Sequence, residues 1–222
     1  MSKRVLVAVL SLALALALFA PSGRESRATH VDPILFVHGF SGSASNWDTM
    51  ISRFRSDGWE SDRLFAITYD SSRSNAEIAQ TVKNAVDQIR AQTGAAKVDI
   101  ITHSMGGLSS RYYLKFLGGQ DVVDEWVSLG GPNHGTTSAY FCSTISCVEM
   151  RPGSSFLTNL NAGDETPGAV RYGTWWSPCD TVINPDDSVI LSGATNTRTG
   201  CIGHISLLTD AAVYRQVRDF VR

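Results

Sequence analysis

The hydrophobic residues of this chain fall into short unbroken runs separated by longer stretches with helical spacing. Pro33 to Val37 (PILFV) is apolar throughout and stops at His38-Gly39-Phe40-Ser41-Gly42, a Gly/Ser-rich turn. A run that is apolar at every position suits a strand buried on both faces, since a strand with one wet face would alternate. A helix is predicted from about Asn46 to Arg55, then a second strand from Leu64 to Tyr69 (LFAITY). Ser74 or Asn75 caps a long helix whose apolar stripe is Ile78, Val82, Ala85, Val86 and Ile89, and Gly94 ends it. Val98 to Thr102 (VDIIT) reads as the third strand. Met105 to Leu117 reads as a helix stopped by Gly118-Gly119, and Val122 to Leu129 as a fourth strand ending in Gly130-Gly131-Pro132.

Strands alternating with helices imply crossover connections, hence an α/β fold with a mostly parallel sheet and helices on both faces. Residues 133–168 break the rhythm: rich in Gly, Ser, Thr, Asn and Pro, they read as a long excursion over the sheet. Val170 to Trp176 and Val189 to Leu191 are expected as two further short strands. Asp210 to Arg222, with Val213, Val217 and Phe220 on one side, is expected as a closing amphipathic helix. With no internal repeat and no linker, residues 29–222 are expected to form one domain.

Residues 1–28 stand apart. Lys3 and Arg4 precede an apolar run from Val5 to Ala20, and Ser26-Arg27-Ala28 offers a small-x-small cleavage site. That three-part layout is a secretory signal peptide. Its removal takes out Lys3, Arg4, Arg24 and Arg27 against Glu25, moving the formal net charge from −2 to −5. An acidic mature chain argues against a nucleic-acid partner, which would call for a basic face. All four cysteines (Cys142, Cys147, Cys179, Cys201) lie in the exported part, where an even count favours disulfides. Without a CxxC pair or a histidine at metal spacing, they do not read as a zinc site.

The candidate chemistry centres on Ser104, in Thr102-His103-Ser104-Met105-Gly106 between a buried strand and a helix. A small residue two before the serine and a glycine two after permit a sharp strand-to-helix turn that lifts the hydroxyl out of the sheet. Ser56 and Ser128 also precede x-Gly, but neither lies between a buried strand and a helix. A serine hydroxyl needs a base to take its proton, and the base needs an acid to fix its tautomer. Of the histidines after Ser104, His204 follows a later strand and precedes the terminal helix, whereas His134 does not. Asp180 directly follows the strand ending near Trp176, the expected place for the acid. Asp186 and Asp187 compete with it, although Asn184-Pro185-Asp186-Asp187 reads as a solvated turn. Its oxygens would also suit a weakly held calcium ion, but a plain turn is the simpler reading. The negative charge that develops on an attacked carbonyl needs donors in place, expected from the N–H groups of Phe40 and Met105. His38 is read as a structural hydrogen-bonding side chain.

Val37-His38-Gly39-Phe40, Asp99-Ile100-Ile101-Thr102-His103-Ser104-Met105-Gly106-Gly107, Leu129-Gly130-Gly131-Pro132-Asn133 and Gly203-His204 together resemble the small secreted bacterial lipases of the α/β-hydrolase superfamily. The resemblance is to the class 2, Bacillus-type and actinomycete lipases, and it runs from about residue 31 to the C-terminus. It implies Ser104 as nucleophile, Asp180 as acid, His204 as base and Phe40 with Met105 as the oxyanion hole. Two departures stand out: Thr102 replaces a Gly or Ala before the turn, and the cysteine-bearing excursion is longer than in the smallest members, which puts a lidless site in question.

The expected activity is hydrolysis of carboxylic esters, foremost glycerides, by an exported enzyme whose chemistry requires no metal or organic cofactor. The rivals are a short-chain carboxylesterase or polyester hydrolase on the same fold, and a non-catalytic secreted binding protein. Apolar side chains exposed around the site would favour the lipase, with Phe40, Trp47, Phe141, Phe156, Trp175 and Trp176 as candidates. If Asp180 and His204 meet, Cys179 and Cys201 are carried to the same place. That predicts the bridges Cys179–Cys201 and Cys142–Cys147, the first bracing the acid and base loops.

Overall fold

The computed structural model describes residues 32–222; the expected signal peptide and its cleavage site lie outside the described residues. The sheet starts from β1 (Ile34–Val37), every residue of which is buried. Its alternation sends Ile34 and Phe36 to one side, against Trp47, Met50, Phe54, Val213, Tyr214 and Val217. Leu35 and Val37 go to the other side, against Ala79, Val82, Val86, Tyr113 and Leu114. Hence α1 (Asp48–Ser56) and α6 (Ala211–Phe220) cover one face. The opposite face carries α2 (Asn75–Thr93) and α3 (Gly106–Phe116). Two covered faces explain why β1 is apolar without alternation.

Six parallel strands stand in the order β2-β1-β3-β4-β5-β6. They are completed by β2 (Leu64–Ile67), β3 (Val98–His103), β4 (Val123–Leu129), β5 (Arg171–Trp176) and β6 (Thr195–Arg198). The chain leaves β1 to one side for β2 and then crosses to β3 on the other. Such a reversal opens a crevice at the carboxyl ends of β1 and β3, where α/β sheets hold their ligands. Register keeps these ends level: Val37 pairs with Thr102, His103 with Leu129, Leu129 with Trp175, and Trp176 with Arg198. The loops after β1, β3, β5 and β6 therefore emerge along one edge.

Most boundaries follow the sequence pattern. Ser74 caps α2 by accepting the N–H of Ala76, and α2 ends at Gly94. The first helix opens as a tight turn over Ala44–Trp47 before α1 proper. One expected element is corrected: Val189–Leu191 is not a strand. Val189 ends a tight turn over Asp186–Val189, and Val189 and Leu191 are buried as plugs from a loop. The sixth strand is instead Thr195–Arg198, polar and largely exposed. As an edge strand bonded only to β5, it requires no apolar run.

The excursion over 133–168 is more ordered than its composition suggests. It contains α4 (Ile145–Met150) and α5 (Ser155–Asn161), whose Cys147, Met150, Leu157 and Leu160 form a small core with Met105 and Leu108. Lys115 donates to the carbonyls of Leu160, Ala162 and Asp164, neutralising the C-terminal end of α5. The buried Arg111 reaches Asn161 Oδ1 and the Glu165 carbonyl. At the other end, Glu149 accepts from Ser74 Oγ (2.7 Å), Asn75 N (2.6 Å) and Asn75 Nδ2 (2.9 Å). A carboxylate at the start of α2 answers both the free N–H groups and the helix dipole. Glu149→Ala is expected to destabilise the fold by about 1–3 kcal/mol, because it strips charge-assisted bonds and leaves the buried Asn75 short of an acceptor. Denaturant unfolding of the two proteins checks this; equal midpoints would mean the excursion is held elsewhere.

Candidate active site

Ser104 adopts φ 54°, one of two non-glycine residues with positive φ among the described residues. Strand β3 ends and α3 begins around this single residue, and the strain of a left-handed serine is the cost of that abrupt turn. Gly106 makes it feasible: a Cβ there would lie 2.5 Å from the His38 carbonyl oxygen and 2.6 Å from that of Val37. The helix start therefore presses directly on the end of β1. Thr102, the departure from the usual small residue, is buried and spends its hydroxyl on the Val127 carbonyl (2.8 Å) of the neighbouring strand.

His204 and Asp180 come together from separate loops. His204 Nδ1 donates to Asp180 Oδ2 at 2.7 Å, and both side chains are at most 5% exposed. The other carboxylate oxygen of Asp180 accepts the N–H groups of Val182 (2.9 Å) and Ile183 (3.0 Å). Burial pushes the Asp180 carboxyl upward, but the hydrogen bond and charge of His204 together with those two N–H groups outweigh it and hold it below the usual carboxylate range. The competitors stand elsewhere: Asp186 accepts the N–H of Asp187, and His134 pairs with Glu165 at 2.7 Å. Among the described residues, no group of three or more His, Cys, Asp or Glu side chains is placed to share a metal ion.

Ser104, His103 and His204 line one cleft of about 250 Å³ with Gly39, Phe40, Ser41, Gly42, Asn46, Val182, Ile205 and Leu208. Neither the Phe40 N–H nor the Met105 N–H is spent on an acceptor among the described residues, and Met105 sits at the N-terminal end of α3. The Phe40 loop is held by His38, which donates from Nδ1 to the Gly39 carbonyl (2.7 Å) and accepts the Tyr69 N–H at Nε2 (3.2 Å). The Tyr69 ring stacks on it at 4.0 Å. Two disulfides form, Cys142–Cys147 within the excursion and Cys179–Cys201 beside Asp180 and three residues before His204.

Two neighbours were not picked out from the sequence. A Cβ on Gly130 (φ 57°) would fall 3.1 Å from His204 Nδ1 and 3.2 Å from Asp180 Oδ2, so this glycine gives the acid–base pair its room. His103 packs its ring 4.5 Å from that of His204. Of the apolar candidates, Phe40 and Phe141 are exposed, whereas Trp47 and Trp175 are core residues.

Burial keeps two histidines neutral here. It lowers His38, with a partial offset from its bond to Gly39, and it takes His103 down to about 3, helped by the nearby His204. An unfolded histidine binds its proton below about pH 6.5. The unfolded state therefore holds more protons than the folded state below that pH, and stability is lost as pH falls from about 6.5 toward 3. Asp99, buried beside Glu125 and pushed upward, acts in the opposite direction. The clean readout is therefore the unfolding free-energy difference between the native chain and His103→Gln. That difference is expected to narrow steadily as pH falls below about 6.5; a constant difference would mean that His103 is not held neutral.

A family model described as Lipase (class 2) matches residues 31–200. A triacylglycerol lipase of Pseudarthrobacter phenanthrenivorans is 28% identical over 119 residues, which is 51% of this chain and 37% of that protein. A triacylglycerol lipase of Pseudomonas fragi is 27% identical over 113 residues, 48% of this chain and 36% of that protein. The chain thus aligns with about a third of the length of these relatives. In architecture it is similar to the mature Bacillus licheniformis lipase BlEst2, with a TM-score of 0.76 at 18% identity, covering 89% of this chain and 94% of the other. It is also similar to Aspergillus fumigatus lipase B, with a TM-score of 0.74 at 19% identity, covering 86% and 52%.

Proposed function

The chain belongs to the class 2 lipase family, and from that premise we propose that it hydrolyses carboxylic esters of lipids through an acyl-enzyme on Ser104. His204 takes the Ser104 proton as Oγ attacks the ester carbonyl carbon, while Asp180 holds the ring through Nδ1–H and stabilises the imidazolium that forms. The carbonyl oxygen, now negative, accepts from the N–H groups of Phe40 and Met105, the second reinforced by the start of α3. His204 then returns the proton to the leaving alkoxide as the carbon–oxygen bond breaks, and an alcohol departs. A water repeats the sequence on the acyl group, releasing the acid and restoring Ser104. The observation that carries the reading is the buried Asp180–His204 bond, at 2.7 Å, opening on the cleft that the strained Ser104 lines.

Lipid is favoured over soluble esters by what surrounds the cleft. Phe40, Val182 and Ile205 line it and are exposed. The segment 137–148 adds Tyr140, Phe141, Ile145 and Val148, with Phe141 94% exposed. Hydrogen bonds attach that segment to both rims: Thr136 and Thr137 to Val182 and Asn184, and Ser146 to Ser71, which in turn accepts from Ser41. These are seven of the eight large apolar side chains exposed among the described residues. No residue of 133–168 lines the cleft itself, and the excursion stands beside it as an apolar shoulder. Export of the mature chain accords with its two disulfides. A short-chain esterase is the second reading, favoured by the small volume of the cleft.

Ser104→Ala is expected to lower ester turnover about a thousandfold or more, with an unchanged melting temperature. Retention of more than about a tenth of the activity would remove Ser104 from the nucleophile role. Rates of the native protein on p-nitrophenyl esters from acetate to palmitate, beside emulsified triglyceride, separate the two readings. Turnover of emulsion and long chains supports the lipase, and activity confined to soluble short esters supports the esterase.

A further inference from the structure

We propose that His103 is a positioning residue that holds the main chain of His204 in place from within the turn that carries Ser104. The inference rests on the reading of His204 as the base. A polar ring enclosed at the end of β3 must find a partner, and His103 Nε2 finds the His204 carbonyl oxygen at 3.1 Å. A carbonyl only accepts, so the proton sits on Nε2 and the tautomer is fixed. The two rings meet at 4.5 Å and 43°. His204 is thereby held at two points: Asp180 fixes its ring through Nδ1, and His103 fixes its backbone.

Upstream, the chain is tied by the Cys179–Cys201 disulfide and by the Ile202 N–H to Ser177 Oγ (2.9 Å), and the His103 bond extends that hold to His204 itself. Between that tie and His204, Gly203 is exposed and a Cβ there would meet only Ser206 Oγ at 3.9 Å, so the last step into His204 lies open on one side. His103 is covalently next to Ser104, and its hydrogen bond ties the turn bearing the hydroxyl to the loop bearing the imidazole. Reacting groups held on independent loops would drift relative to one another, and a displacement of about 1 Å can cost a hundredfold in rate. His103 stays neutral in its buried position, so it can lie against His204 while that ring carries a positive charge.

The test compares His103→Leu, which fills the space without a donor, with His103→Gln, which keeps an N–H able to reach the carbonyl. The leucine variant is expected to lose about tenfold to a hundredfold in kcat with KM little changed. Its pH–rate midpoint should move downward, because a loosened ring loses part of the Asp180 support for its protonated form. Glutamine should recover most of the rate and return the midpoint. Should leucine fail to fold, His103→Phe replaces it as the donorless variant. Wild-type kcat and pH midpoint in the donorless variant would overturn the proposal. So would equal losses in both variants with the midpoint unmoved, which would mark His103 as a packing residue only. Ser104→Ala run in parallel keeps the two readings apart: if it retains activity, the reading of Ser104 as nucleophile with His204 as its base fails. If it is inactive while both His103 variants behave as wild type, only this inference fails.

Discussion

Everything at the carboxyl edge of the sheet is arranged around one residue forced into a left-handed conformation. A left-handed serine costs on the order of 1–3 kcal/mol, and its neighbours must over-determine it. Here they do so from several directions: Ser104 N donates to the Leu129 carbonyl at 2.9 Å, and Gly106 lets α3 press against the end of β1. Relaxing that residue would withdraw the hydroxyl from the cleft. It would also turn the Met105 N–H away and separate β1 from the start of α3. The strain, the approach of the helix and the free N–H groups are one constraint seen from three sides.

A second balance concerns charge. Asp180 and His204 are nearly enclosed, and burying a carboxylate is expensive unless its oxygens are occupied. Asp180 meets that condition with three donors, the His204 ring and the N–H groups of Val182 and Ile183. His204 on its other side has the neutral His103 ring at 4.5 Å. The site can thus take up a positive charge on one imidazole without competition from its histidine neighbour, His103, which burial keeps uncharged.

The sheet was legible because strands covered on both faces carry unbroken apolar runs, as Ile34–Val37 does throughout and Val98–Thr102 does apart from Asp99 and Thr102. Ser104 follows such a strand and Asp180 follows the largely buried β5, and parallel order sends their loops to one edge; His204 was singled out although the strand expected before it, Val189–Leu191, is a loop. Thr195–Arg198 was missed for the converse reason: an edge strand needs no apolar signal, and the apolar Val189 and Leu191 beside it are loop plugs. The excursion was read as irregular because α4 and α5 span six and seven residues, too short for a periodic stripe to show. The roles of His103 and Gly130 could not be read from the motifs that contain them, because those roles come from approaches across the fold. His103 meets a carbonyl 101 positions away, and Gly130 leaves space for a pair drawn from two other loops.

The account stands or falls on a covalent intermediate at Ser104. Mass spectrometry of the peptides left after the protein reacts with a long-chain alkyl fluorophosphonate tests it directly, because such reagents phosphonylate a serine only when it is activated. The account predicts one adduct per chain, on the peptide carrying Ser104, appearing in step with loss of esterase activity. An adduct on another residue, or full activity with Ser104 stoichiometrically modified, would contradict it.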